Sequence, residues 1–404
     1  MRYLGLTVAA TCAGLVLSAA PAAAAAAGGD VTIGVFVPTT GGYAPLGTEM
    51  RNGYALAVKD APEVKGKTVK LVVEDSQGEP APGLKKAQQM VLQDHARLLI
   101  GGASSSVVLA INAQAARLNV PIVTTNSQAV QTTGSQCSRW LFRTNPSDSM
   151  EANANALLMQ KRPDLKKKKW FVVYHDLVWA RSNKDQFAKI PGIDIVGEAG
   201  RALGTADWAS TFAQIRSSGA NAIYLALIVG NDLPSFIRQA RSFGLKQFML
   251  APLGMPDSML QTLGDQGAGL VTGGLFGSWM LEDQNPKMKT FVNEYGKTYG
   301  VVPGPQAIQA YAGMQLALAA MNRAKSLDTA DVIHALENTS VDTIIGKLAI
   351  RKQDHQGEVG TYMAESVKLS TPKFGSTLAW KVLDTFPWEK VKVPVADSGC
   401  KGLN

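Results

Sequence analysis

Leu98-Leu99-Ile100-Gly101-Gly102-Ala103-Ser104-Ser105-Ser106 reads as an apolar strand that passes through two glycines into serines at the start of a helix. The same design returns in Pro121-Ile122-Val123-Thr124-Thr125-Asn126-Ser127. A strand that feeds a helix through small polar residues aims backbone N–H groups and hydroxyls at one spot, which suits a carboxylate. Two such loops side by side predict a ligand cradle at the carboxyl ends of neighbouring strands.

Outward from that stretch the chain alternates strictly. Strands are expected at 31–38, 69–75, 98–101 and 121–124, with helical periodicity at 48–60, 83–94 and 107–118. A second series follows Phe142-Arg143-Thr144-Asn145-Pro146. It has helices at 148–160, 181–190, 208–217 and 233–243, and strands at 170–175, 193–199, 222–228 and 248–253. Such alternation implies an α/β chain with two doubly wound, parallel-sheet lobes, helices covering both faces of each. After an apolar segment at 270–276, helical runs at 286–299, 305–324 and 331–338 have no strands between them. They are expected to pack back on the first lobe, so that several chain crossings form a hinge.

Residues 1–28 read as a cleaved export signal, with Arg2 before an apolar core at 4–20 and then Pro21 and an alanine run. A membrane anchor is the alternative, but the core is short and runs out into alanines. Export leaves Cys137 and Cys400, an even pair that favours a disulfide over two free thiols. His95, His175, His334 and His355 lack ligand spacing, so no metal site is expected. The net charge of +8 is spread along the chain apart from Lys166-Lys167-Lys168-Lys169. Without interleaved aromatics or a recognition helix, that run reads as a solvated turn, and no nucleic-acid partner is expected.

Several segments, in order, resemble the bilobed periplasmic solute-binding proteins of ABC importers, in the branch that includes leucine/isoleucine/valine-binding proteins. They are Ile33-Gly34-Val35-Phe36-Val37-Pro38-Thr39-Thr40-Gly41-Gly42, Val72-Val73-Glu74-Asp75, Ile100-Gly101 with its serines, Val120-Pro121-Ile122, Phe142-Arg143-Thr144, Phe236-Ile237-Arg238-Gln239-Ala240-Arg241 and Val341-Asp342-Thr343-Ile344-Ile345-Gly346-Lys347-Leu348. The resemblance implies type I lobes that close on a ligand. Lobe 1 would be 30–144 plus 275–351, lobe 2 145–274 plus 352–395, and the tail 396–404, with crossings near 143–146, 273–277 and 350–353. It also implies a periplasmic monomer that serves a membrane permease and uses no cofactor.

Matched residue by residue, the family's carboxylate-holding serine falls on Ser105, flanked by Ser104; helix capping is the plainer role for both, but it is compatible with carboxylate binding, and Ser105 is expected to contact the ligand. The second loop offers Asn126, Ser127 and Gln128, whose groups donate and accept hydrogen bonds but also suit turns. The acidic partner of a ligand ammonium falls on Leu253, and an ammonium buried opposite leucine would stay unpaired at a cost of several kcal/mol. Trp179 falls on the second lobe's aromatic wall, Val229 replaces a tyrosine of some members, and Tyr43 stands in for an aromatic lost at Leu46. His175 ends an apolar strand with no nucleophile placed beside it and is read as structural. The expected ligand is therefore an aromatic or aliphatic carboxylate without a recognised ammonium, with a branched-chain or other hydrophobic amino acid as the alternative. A ligand-sensing module of a regulatory system uses the same fold. A nicotinamide enzyme is disfavoured, because Gly41-Gly42 and Gly101-Gly102 do not give the GxGxxG spacing.

Overall fold

The computed structural model describes residues 1, 29–252, 254–274, 278–283 and 285–403. The expected export signal and Leu253 therefore lie outside the described residues, as does part of the second crossing.

Two sheets carry the fold. The first has nine strands in the order Ser340–Thr343, Gly346–Arg351, Gln356–Gly357, Leu141–Arg143, Ile122–Thr124, Leu98–Gly101, Val31–Val37, Lys67–Asp75, Glu63–Val64. Its middle is parallel, with Val35 opposite Val73 on one side and Ile100 on the other. The second has seven strands in the order Ser376–Phe386, Thr361–Lys373, Val271–Gly273, Phe248–Ala251, Ala222–Ala226, Lys169–His175, Asp194–Arg201. Ala222–Ala226 is buried throughout, as expected of a parallel strand covered by helices on both faces. Lys166 and Lys167 are exposed just before the strand that carries buried Trp170, and Lys169, its first residue, is exposed too.

The helical runs Pro286–Tyr299, Pro305–Arg323 and Thr329–Asn338 follow the second sheet in sequence. Pro305–Arg323 packs along Ala44–Asp60 of the first lobe. The third crossing differs from the expected 350–353. Arg351 binds Asp354 through Nε at 2.8 Å and Nη2 at 2.5 Å, and the His355 N–H returns to the Arg351 carbonyl at 2.9 Å. This tight turn sends the chain back into the first sheet, where Gln356 pairs with Arg143, and it leaves only after Gly357.

Residues after 360 form a feature the alternating pattern does not foretell. Thr361–Lys373 and Ser376–Phe386 are a long antiparallel hairpin that finishes the second sheet. Trp380 anchors it, buried and donating its indole N–H to the Met255 carbonyl at 2.7 Å. The helix Trp388–Val391 then packs on Asp148–Lys161, and the tail returns to the first lobe, where Cys400 is disulfide-bonded to Cys137.

Candidate functional site

The loops that end the first-sheet strands form one wall of the crevice between the sheets. Gly102, with φ +94°, turns the chain out of Leu98–Gly101; a Cβ there would lie 2.3 Å from Val108 and 2.8 Å from the Thr124 hydroxyl. The turn delivers Ser104 to the N-cap position of Ser105–Leu118, yet its side chain makes no capping bond. Instead the Ser104 hydroxyl pairs with that of Ser106 at 2.9 Å, with the Tyr43 hydroxyl beside it. Ser105 Oγ accepts from Ser127 Oγ at 3.0 Å, and Ser127 Oγ also pairs with Thr132 Oγ1 at 2.9 Å. These hydroxyls stitch the two loops together.

Arg143, the last residue of Leu141–Arg143, braces the second loop from below. Its Nη1 donates to the carbonyls of Gln128 at 3.2 Å and Ala129 at 2.7 Å, its Nε to Gln356 Oε1 at 2.7 Å, and its Nη2 to the Thr133 hydroxyl. Burial pulls its pKa down to about 10, opposed by the charges of Asp148 and Asp354, so it remains a cation at neutral pH. With the backbone so held, the side chains of Asn126 and Gln128 are buried and none of their four amide atoms makes a hydrogen bond. Buried amides with every valence open are costly unless a partner enters.

The opposite wall is largely apolar. Trp179 is 5% exposed on Val178–Ala188, and Leu227, Ile228 and Val229 are buried after Ala222–Ala226. The walls touch: a Cβ on Gly230 would come within 2.0 Å of the Gly42 carbonyl, and one on Gly42 within 3.2 Å of Leu203. Gln306 Nε2 reaches across to the Gly254 carbonyl at 2.8 Å, and the Val130 N–H to Ser182 Oγ at 3.1 Å. At the outer rim, Pro45, Val229, Asn231, Arg238, Pro256 and Met259 line a cavity of about 180 Å³. His175 stands behind this wall. Its Nδ1 accepts from the Ile228 N–H at 2.9 Å, so Nε2 carries the proton and donates to Asp232 at 3.0 Å, while Asp232 also accepts from the Gly204 N–H at 2.6 Å. Both ring nitrogens are occupied in holding two rim loops.

Four buried carboxyl groups at this junction escape a reading by motif. Asp148 accepts from Ser182 Oγ at 2.5 Å and Asn183 Nδ2 at 3.1 Å, with the Trp179 indole beside it; burial pushes it up to about 6. Glu151 is fully buried and held well above the usual carboxylate range by burial and by the charge of Asp148. Glu49, of Ala44–Asp60, turns its carboxyl to the N-terminus of Pro305–Arg323 and is raised to about 8 by burial and by Asp257 of the other lobe. Asp257 is raised to about 7 by burial and accepts from Trp279 Nε1 at 2.9 Å. The available signal was spacing: Asp148, Glu151 and Asn155 share a helical face with the apolar positions Leu158 and Met159.

Two α/β lobes linked by repeated chain crossings, with open amides on one wall and an indole on the other, define a protein that closes on a small molecule. The periplasmic binding protein family model matches residues 30–371, and the chain belongs to that family. It is a periplasmic solute-binding protein of the ABC-transporter kind. It is 27% identical over 379 residues to Leu/Ile/Val-binding protein homolog 3 of Brucella melitensis, covering 92% of this chain and 94% of that one. A periplasmic binding protein of Burkholderia mallei superposes with a TM-score of 0.83 at 23% identity, over 93% of this chain and 99% of the other. A solute-binding protein from R. palustris in complex with benzoate gives 0.80 at 23% identity, over 92% and 99%. These two structures are similar in fold.

Proposed function

We propose that this protein captures a small carboxylate with an aromatic or aliphatic body and delivers it, as a monomer, to the permease of an ABC importer. The observation that carries the reading is the contrast between the open amides of Asn126 and Gln128 and the apolar wall of Trp179 and Val229. Amide N–H groups donate to the carboxylate, and the indole covers the body. Ser104, Ser105, Ser127 and Tyr43 act behind the amides by fixing the loops. The benzoate bound by the R. palustris neighbour supports an aromatic acid as a fit to this fold, and leucine at position 253 argues against a paired ammonium. The second reading, a branched-chain amino acid, draws on the Brucella relative's name.

The test is thermal melting of ligand-stripped protein against amino acids, aromatic acids and fatty acids, because a ligand of the folded state raises the midpoint. Stabilisation by deaminated acids and not by leucine or phenylalanine is expected. Stabilisation by an amino acid alone would replace the first reading with the second. Light scattering at increasing protein concentration checks the monomer.

A further inference from the structure

Glu151 is a buried acid of lobe 2 that approaches the lobe-1 loop at Gln128 with a valence open. Its Oε2 accepts from Asn183 Nδ2 at 3.1 Å, and its Oε1 makes no hydrogen bond. Asn183 has nothing more to give: its Nδ2 also serves Asp148 at 3.1 Å, and its Oδ1 accepts from the Tyr224 hydroxyl at 2.7 Å. Gly274 supplies a ruler. A Cβ placed there would stand 3.0 Å from Glu151 Oε2 and 3.0 Å from Gln128 Nε2, so those atoms of opposite walls are at most twice that distance apart. Gly274 has φ +102°, and the same Cβ would lie 2.6 Å from the Pro252 carbonyl, so only a glycine passes where these two atoms approach each other.

We infer that Glu151 is a specificity-determining residue that binds a hydroxyl group on the body of the carboxylate ligand, sharing that group with the amide of Gln128. The inference rests on the proposed carboxylate reading and names the substituent the site selects. A hydroxyl fits where an ammonium does not. An ionised Glu151 would sit in the same buried network as Asp148, and burial and that neighbour both favour the neutral form of Glu151. A neutral carboxyl offers one acceptor and one donor, which match the donor and acceptor of a hydroxyl without adding a buried charge.

The experiment is calorimetric titration of 3,4-dihydroxybenzoate, benzoate and leucine into the wild-type chain, Glu151→Met and Glu151→Gln, with a ligand-free melting curve for each. The wild type is expected to bind the dihydroxy acid about tenfold more tightly than benzoate, the worth of one good neutral hydrogen bond. Glu151→Met should erase that ratio, and Glu151→Gln, whose amide keeps an acceptor and a donor in the same place, should restore it. An unchanged ratio in a folded Glu151→Met overturns the inference while leaving the carboxylate reading intact. Leucine bound by the wild type when neither benzoate is bound overturns the carboxylate reading and the hydroxyl assignment with it.

Discussion

The two walls of the crevice are built on the same strand-loop-helix plan and use it in opposite ways. On the first-lobe wall the hydroxyls are turned inward on one another, and the amides between them are left open. On the second-lobe wall the loops are pinned from behind by His175 and Asp232, and the surface presented is apolar with acids beneath it. A polar group that is already satisfied builds the wall, and one left unsatisfied is free to bind. Residue type alone does not separate the two cases, because serine and asparagine both suit such loops.

The largest effect is expected from breaking the brace of the first wall. Arg143→Leu removes the cation that holds the carbonyls of Gln128 and Ala129 and leaves Asp148 without its opposite charge. Removing one partner from a buried charged network costs about 3–5 kcal/mol. At roughly 2–4 °C per kcal/mol the melting midpoint should fall by about 10 °C. A drop of only a degree or two would mean that the first wall is held by its hydroxyls alone.

Next in size is the indole of the second wall. Trp179→Ala opens the apolar surface facing the amides, and truncation of a buried aromatic contact costs on the order of 2 kcal/mol, about 30-fold in Kd. Titration with whichever acid stabilises the wild type measures it. Unchanged affinity with a lowered midpoint would assign Trp179 to lobe packing, and the comparison would lose its second term.

The alternation of strands and helices was legible because each unit announces itself locally, through apolar runs of four to seven residues and helical periodicity. Most expected elements lie within a few residues of their place, as with 286–299, which is helix Pro286–Tyr299. The third crossing was misjudged because its turn depends on Arg351 meeting Asp354, a side-chain event without a turn-forming glycine or proline to mark it. The hairpin of residues 361–386 was missed because its pairing is fixed by an edge of the second sheet far away in sequence. At the site the sequence pointed to Asn126, Gln128, Trp179 and Val229, and all are buried at the junction of the lobes. It could not tell that the Ser105 and Ser127 hydroxyls face each other. Nor did it single out Glu151, whose environment comes from Asn183 and from Asp148 one turn before it on the helix.

A paired substitution sharpens the distinction within the first wall. Gln128→Ala removes amide atoms that make no hydrogen bond, so the free protein should hold or gain stability while ligand affinity falls about tenfold. Ser105→Ala removes an acceptor used by Ser127, so its midpoint should fall, by the equivalent of about 1 kcal/mol, with affinity changed less than threefold. Melting curves and titrations on both variants decide it. The reverse pattern would make Ser105 the ligand contact and Gln128 a structural residue.

The smallest effect tests the acids that meet where the walls close. Glu49, Asp257 and Asp148 are raised to about 8, 7 and 6 from ordinary values of 4.5, 3.8 and 3.8. Between the ordinary and the raised value of each, the folded chain holds a proton that the unfolded chain has released, so stability must fall as pH rises through that interval. Asp232 works the other way, but its pKa is lowered by His175 and the Gly204 N–H despite burial, so its contribution is lost only below its ordinary value. From pH 6 to pH 8.5 the first group governs, and the midpoint should decline by a few degrees. Glu49→Gln combined with Asp257→Asn should flatten that slope without altering the order of ligand preference. A midpoint that is constant or rising over the same range would show that these carboxyl groups are solvated in solution, and hence that the walls stand further apart there than the contacts between Gly42 and Gly230 require.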